Sequence, residues 1–181
     1  MKTFALIVLV ALSSFSLYKL VKTKVADGIT VFLPPQLKPM TPDDIAQRFP
    51  SVRAPLGAFT NVDRQVDFSV NISATKWLDG DDTLAQQFFK ASLNNMYDRV
   101  DFEGEGIQVL HKKKFIFFEF DSRISGDRRK QDIQDPVLKY TYIQYLIQKD
   151  RTLVFTFSCP KAIKEDWQSV AREVMMTIRV R

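Results

Sequence analysis

The fold is decided by residues 114–160, which read KFIFFEFDSRI (114–124), a polar loop, PVLKYTYIQYLIQ (136–148), a short turn and TLVFTFSCP (152–160). Runs this dense in Phe, Tyr, Ile and Val favour a pleated, half-buried surface. They predict three strands in an antiparallel meander at the middle of one sheet. In the first, Ile116, Phe118 and Phe120 share a face, and Phe115, Phe117, Glu119 and Asp121 share the other. In the third, Leu153, Phe155 and Phe157 point one way.

Upstream, residues 58–62 and 65–72 read as a hairpin. Val66, Phe68, Val70 and Ile72 alternate with Gln65, Asp67, Ser69 and Asn71, so this strand has a wet face and a covered one. A helix is expected over Thr83–Tyr97, with Ala85, Phe88, Phe89, Ser92, Leu93 and Met96 at helical spacing, started by Asp81 or Asp82. Gly104 and Gly106 interrupt the strand-like run 100–110 and suggest a bulge or a close backbone contact. Downstream, Lys161–Met176 is a second helix, with Ile163, Trp167, Val170, Ala171 and Val174 as its apolar stripe, and residues 177–180 form a last short strand. Before the hairpin, Ile29–Leu33 reads as a strand stopped by Pro34-Pro35, and Thr41-Pro42-Asp43-Asp44 as a helix start. The expected organisation is a signal peptide or membrane anchor (1–24), a linker with a short strand and helix (25–57), and an α+β domain (58–181). In that domain the two main helices are expected to pack on one face of an antiparallel sheet.

Charge is unevenly placed. The 181-residue chain has a net charge of +5, but Lys2, Lys19, Lys22 and Lys24 supply four of those charges in a stretch without an acid. The remainder is nearly neutral, which argues against a nucleic-acid-binding domain. MKTFALIVLVAL (1–12), followed by SSFSLY, has the layout of an export signal: a charged start, a short apolar run, and Ser14-Phe15-Ser16 as a small-x-small cleavage site. The run falls short of the roughly 20 residues that span a bilayer unless it is counted to Val21. The lysines after it disfavour translocation of the downstream chain. Export or tethering to a membrane, and with it a place in the cell envelope, is the expectation.

The chemistry-bearing residues are sparse. His111 is the only histidine, sits among lysines and reads as an exposed turn residue. Cys159 is the only cysteine and reads as a small core residue. Asp79, Asp81 and Asp82 lack the further ligands of a calcium loop and read as turn and capping acids. Glu103, Glu105, Glu119 and Asp121 would suit acid–base chemistry if a pocket gathered them, but read as a solvated strand face. Asn71-Ile72-Ser73 matches a glycosylation acceptor pattern. No catalytic, metal-binding or cofactor-binding residue is assigned. Two basic clusters, residues 111–114 (with Lys112 and Lys113) and Arg123 with Arg128, Arg129 and Lys130, read either as edge-protecting, solvated charges or as candidate docking sites for an acidic partner or anionic lipid.

The order of elements resembles the PsbP/Mog1-like (DcrB-like) family. The resemblance is carried by Gln65–Ile72, Thr83–Tyr97, Val100–Phe120, Val137–Pro160 and the closing DWQSVAREVMMTIRV. It implies a non-enzymatic role in binding or assembly, as accessory subunit, small-GTPase binder or secretion chaperone, and carries over no functional residue. The function expected is a non-catalytic, exported or membrane-tethered accessory protein that binds a protein partner. The alternatives are a structural subunit with a single anchor, and an envelope hydrolase using a carboxylate pair such as Glu103 with Glu119.

Overall fold

A computed structural model describes residues 19–50, 53–78, 80–125 and 135–181. The expected signal or anchor therefore lies outside the described residues up to position 18. So do Asp79 and Arg128, Arg129 and Lys130.

Ten strands and three α-helices follow in the order β1 (Val21–Ala26), β2 (Ile29–Leu33), β3 (Lys38–Pro39), α1 (Pro42–Arg48), β4 (Gly57–Thr60), β5 (Asp67–Ile72), α2 (Asp82–Met96), β6 (Arg99–Leu110), β7 (Lys113–Ile124), β8 (Val137–Ile147), β9 (Thr152–Pro160), α3 (Lys164–Met176) and β10 (Arg179–Val180). A turn of 3₁₀-helix, Lys161–Ile163, leads into α3. The larger sheet has seven strands ordered β3-β4-β5-β9-β8-β7-β6, and the smaller has three, β1-β2-β10. All pairings are antiparallel. The expected α+β class, the central meander and the hairpin before it are all present.

The placement of the two main helices differs from the expectation. They lie on opposite faces of the larger sheet. One core cluster joins Trp167, Val170 and Val174 of α3 to Phe115, Tyr140, Phe155 and Phe157. The other joins Ala85, Phe89 and Leu93 of α2 to Ile116, Phe118, Phe120 and Tyr145. The cause is β7. Over its first half both alternating sets are apolar, Phe115 and Phe117 on one face and Ile116, Phe118 and Phe120 on the other, and a strand oily on both sides needs a layer on each. Phe89 lies flat on Tyr145, with ring centroids 3.8 Å apart and planes 7° from parallel. Phe88 and Met96, counted in the expected stripe of α2, stay 43% and 64% exposed.

The stretch expected as a linker contributes to the main core: Ile29, Val31, Leu33 and Leu37 are buried with the α3 residues. Lys22 and Lys24 stand in β1, paired with Phe32 and Thr30. Asp27 and Gly28 make the β1–β2 turn, with Gly28 at φ 75°. The end of α3 is fastened to β2, because Thr177 Oγ1 accepts the Phe32 N–H at 2.9 Å. Among the described residues no helix is long and apolar enough to cross a membrane.

Caps form mostly as the sequence suggests. Thr41 Oγ1 accepts the Asp44 N–H at 3.2 Å and caps α1. Asp81 stands at the N-cap of α2 without a capping bond. Its carboxylate instead accepts the Leu78 N–H at 3.2 Å and closes the preceding turn.

Gly57 fixes the approach of β1 to β4. A Cβ there would lie 2.4 Å from Val25 Cγ1 and 2.9 Å from the Val25 carbonyl oxygen. Gly57→Ala is expected to cost about 1–3 kcal/mol in urea unfolding, as overpacking does. Adding Val25→Ala should recover part of the loss, because only the side-chain clash is removed.

Candidate functional site

The carboxylates on the inner end of β7 do not face water. Glu119 and Asp121 are 5% and 8% exposed, on the face that α3 covers. Burying an ionised carboxylate is tolerated only with partners, and α3 brings them at intervals of about one turn. Lys164 Nζ donates to Asp121 Oδ1 at 3.1 Å and also to Glu103. Gln168 Nε2 donates to Glu103 at 2.6 Å and to Glu119 at 2.8 Å. Arg172 Nε reaches both Glu119 oxygens at 3.0 Å, and the buried Tyr140 hydroxyl donates to Glu119 at 2.8 Å. Lys161 closes on Asp121 at 2.9 Å. The expected solvated face is thus a sealed ionic seam. It brings Glu103 and Glu119 together as the carboxylate-pair reading requires, but both are engaged by donors from α3 and the sheet. The seam holds the helix down.

The seam also sets proton affinities. Burial, followed by the Glu119 charge, raises the Tyr140 phenol. Burial works against the Lys164 ammonium, but its hydrogen bonds to Glu103 and Asp121 outweigh that and raise it. Burial, with the Asp121 charge, pushes the Cys159 thiol up from 9.0 to about 12. Cys159 is 1% exposed, a core residue as the sequence suggests.

Lys112 and Lys113, from the β6–β7 turn, line a recess of about 430 Å³ together with Lys114 and Lys149. Lys149 comes from the β8–β9 turn, so two separate stretches converge. Asp82 is the one acid of this lining, and it is already paired with Lys114 at 3.0 Å. His111 is exposed at φ 49°, and Lys112 follows at φ 68°, so both residues of the turn are left-handed. Arg123 lies at the far end of β7, in a hollow of about 190 Å³ shared with Asp101, Asp121 and Lys161. Ten residues of strand, roughly 33 Å, separate Lys113 from Arg123. The two predicted clusters are therefore distinct surfaces.

A third surface was not singled out in the sequence. Helix α2 covers the face of β6, β7 and β8, and leaves the same face of β5 and β9 open. Ser69 and Asp67 of β5 stand opposite Thr156 and Ser158 of β9. They floor one part of a trough, about 500 Å³; a second part, about 890 Å³, meets it at Asn71 and is lined by Ser73, Lys76 and Arg151 around the strand ends. The Asn71 amide donates to Ser69 Oγ at 3.2 Å within this floor. The signal was present as the polar phase of β5, read only as a wet side. Thr156 and Ser158 continue it on a strand far away in sequence.

Comparison with solved structures places the architecture. The chain is similar to CyanoP, a cyanobacterial PsbP from Synechocystis, with 14% identity, a TM-score of 0.60, and 96% of this chain and 99% of that one covered. It is also similar to the Ran-binding protein Mog1p of Saccharomyces cerevisiae, with 13% identity, a TM-score of 0.53, and 90% and 96% covered. The chain has the PsbP/Mog1-like fold, as the order of elements suggests. No protein-family model and no curated protein matches it.

Two outcomes are expected of the seam. Glu119→Ala should cost about 1–3 kcal/mol or more, since it leaves the buried Tyr140 hydroxyl unsatisfied. For pH, the folded Cys159, Tyr140 and Lys164 all hold their protons more tightly than ordinary groups do. Their contribution is complete below the unfolded values and is lost as pH rises through the folded ones. The urea midpoint should hold steady up to about pH 9 and fall progressively above it, with a shallower fall in Cys159→Ala.

Proposed function

We propose that this chain is a non-catalytic accessory protein of the cell envelope that captures a protein partner, with the apolar stretch that precedes β1 exporting it or tethering it to a membrane. The observation that carries this reading is the lysine recess. Four cations from two distant turns surround one hollow, and its single acid is already engaged. Such a grouping sets up a positive local potential that favours a negatively charged occupant. The fold is shared with a protein described as Ran-binding, which supports partner capture as the kind of work it does. The carboxylates best suited to hydrolysis are committed to α3, which disfavours the enzymatic alternative.

In the full chain, Lys112→Glu with Lys113→Glu should reduce crosslinked partner in membrane extracts by about tenfold, corresponding to ~1.4 kcal/mol. The melting temperature should move little, because exposed charges contribute weakly to stability. Undiminished crosslinking would remove the recess from the function. N-terminal sequencing of the purified protein distinguishes a cleaved export signal from a retained anchor, and so a released protein from a structural subunit held in the membrane.

A further inference from the structure

We propose a second binding site, distinct from the lysine recess: the trough on the open half of the α2 face receives an extended, acidic peptide segment of a protein. Three features of the surface lead there. The first is its shape. Each part of the trough lies within the roughly 300–1,000 Å³ of a small-molecule cleft, and joined at Asn71 they exceed it. The six residues of β5 run along it for about 20 Å, the reach of an extended peptide of similar length.

The second is the floor. Asn71 of β5, and Thr156 and Ser158 of β9, present amide and hydroxyl groups, with Ser69, 5% exposed, behind them and bonded to Asn71. Residues two apart on a strand are ~7 Å apart, which is also the spacing of same-side groups along an extended chain. A surface that both donates and accepts at that repeat matches a peptide backbone with polar side chains.

The third is charge. Each part of the trough has three basic side chains against one acid: Arg48, Arg64 and Lys139 with Asp67 in one, Arg53, Lys76 and Arg151 with Asp150 in the other. Some of these cations already have work. Arg48 holds Asp67 at 2.5 Å and the Arg64 carbonyl at 2.8 Å, and Arg64 holds the buried Asp44 at 3.1 Å. These contacts build the wall formed by α1 and the β4–β5 turn. Lys76 and Lys139 are exposed, make no ion pair among the described residues, and stand in opposite parts of the trough. They would meet acidic side chains at either end of a segment laid along the floor.

The test uses the full chain in a neutral detergent and a fluorescein-labelled peptide of alternating Glu and Ser, about eight residues long to match ~3.3 Å per residue. The expected result is saturable anisotropy that weakens with salt and is absent for the Gln-for-Glu analogue. Amide shifts in the unsubstituted protein should concentrate at Ser69, Asn71, Thr156 and Ser158. Lys76→Glu with Lys139→Glu should weaken binding by about tenfold or more while preserving the fold by circular dichroism. Lys112→Glu with Lys113→Glu should leave it unchanged, which keeps this site separable from the recess. The proposal is overturned by absence of peptide binding or by shifts confined to the lysine turns. It is overturned equally by binding to phosphatidylglycerol vesicles, in place of peptide, that the trough variant abolishes.

Discussion

The first half of strand β7 is apolar on both faces, and the rest of the molecule is arranged around that fact. Phe115 points to one side, and Ile116, Phe118 and Phe120 to the other; all four are at most 1% exposed. Each such burial contributes roughly 1.5–3 kcal/mol, so leaving either side open would forfeit much of the net stability of a domain. Helix α3, backed by β2, closes one side, and α2 closes the other. Because α2 is only 15 residues long and lies over the β6 side of the sheet, it cannot also cover β5 and β9. Those strands are polar on that face, so the incomplete cover costs little and leaves a usable surface.

Apolar packing alone would allow α3 to slide or rotate, since Val, Ala and Met form a permissive stripe. The ionic seam removes that freedom. Glu119 and Asp121 are buried enough that losing their donors would be costly. Moving α3 by one turn would carry Arg172 and Gln168 away from Glu119, and Lys164 away from Asp121. The helix has one position in which every carboxylate is answered. That same arrangement explains why acids on adjacent strands, which look like paired catalytic groups in isolation, serve packing here.

Most elements were legible because their signals are local. The runs rich in Phe and Tyr gave β7, β8 and β9, and Thr41-Pro42 gave the start of α1. What escaped depends on relations between distant stretches. Phe115 and Phe118 lie on opposite faces of β7, so its two apolar phases implied two covering layers, but the pattern does not say which helix goes where. Asp27-Gly28 is a strong hairpin signal between VKTKVA and ITVFL. It was masked by Lys22 and Lys24, which read equally well as the flank of a membrane segment. Lys112 and Lys113 were visible as a basic turn, while Lys149 joins them only through the pairing of β7 with β8 and β8 with β9. The trough needed the register that sets Ser69 beside Thr156.

The small sheet has a bearing on how the molecule comes into being. Its strand β2 is flanked by β1 from the start of the described chain and by β10 from the end, with Thr30 beside Arg179. Ile29, Val31 and Leu33 therefore have no lasting shelter until α3 and β10 have been synthesised. Contacts between such remote residues form slowly, because a long loop must close first. During translation the nascent polypeptide stays incompletely folded, which leaves its apolar strands accessible to chaperones until α3 and β10 have emerged.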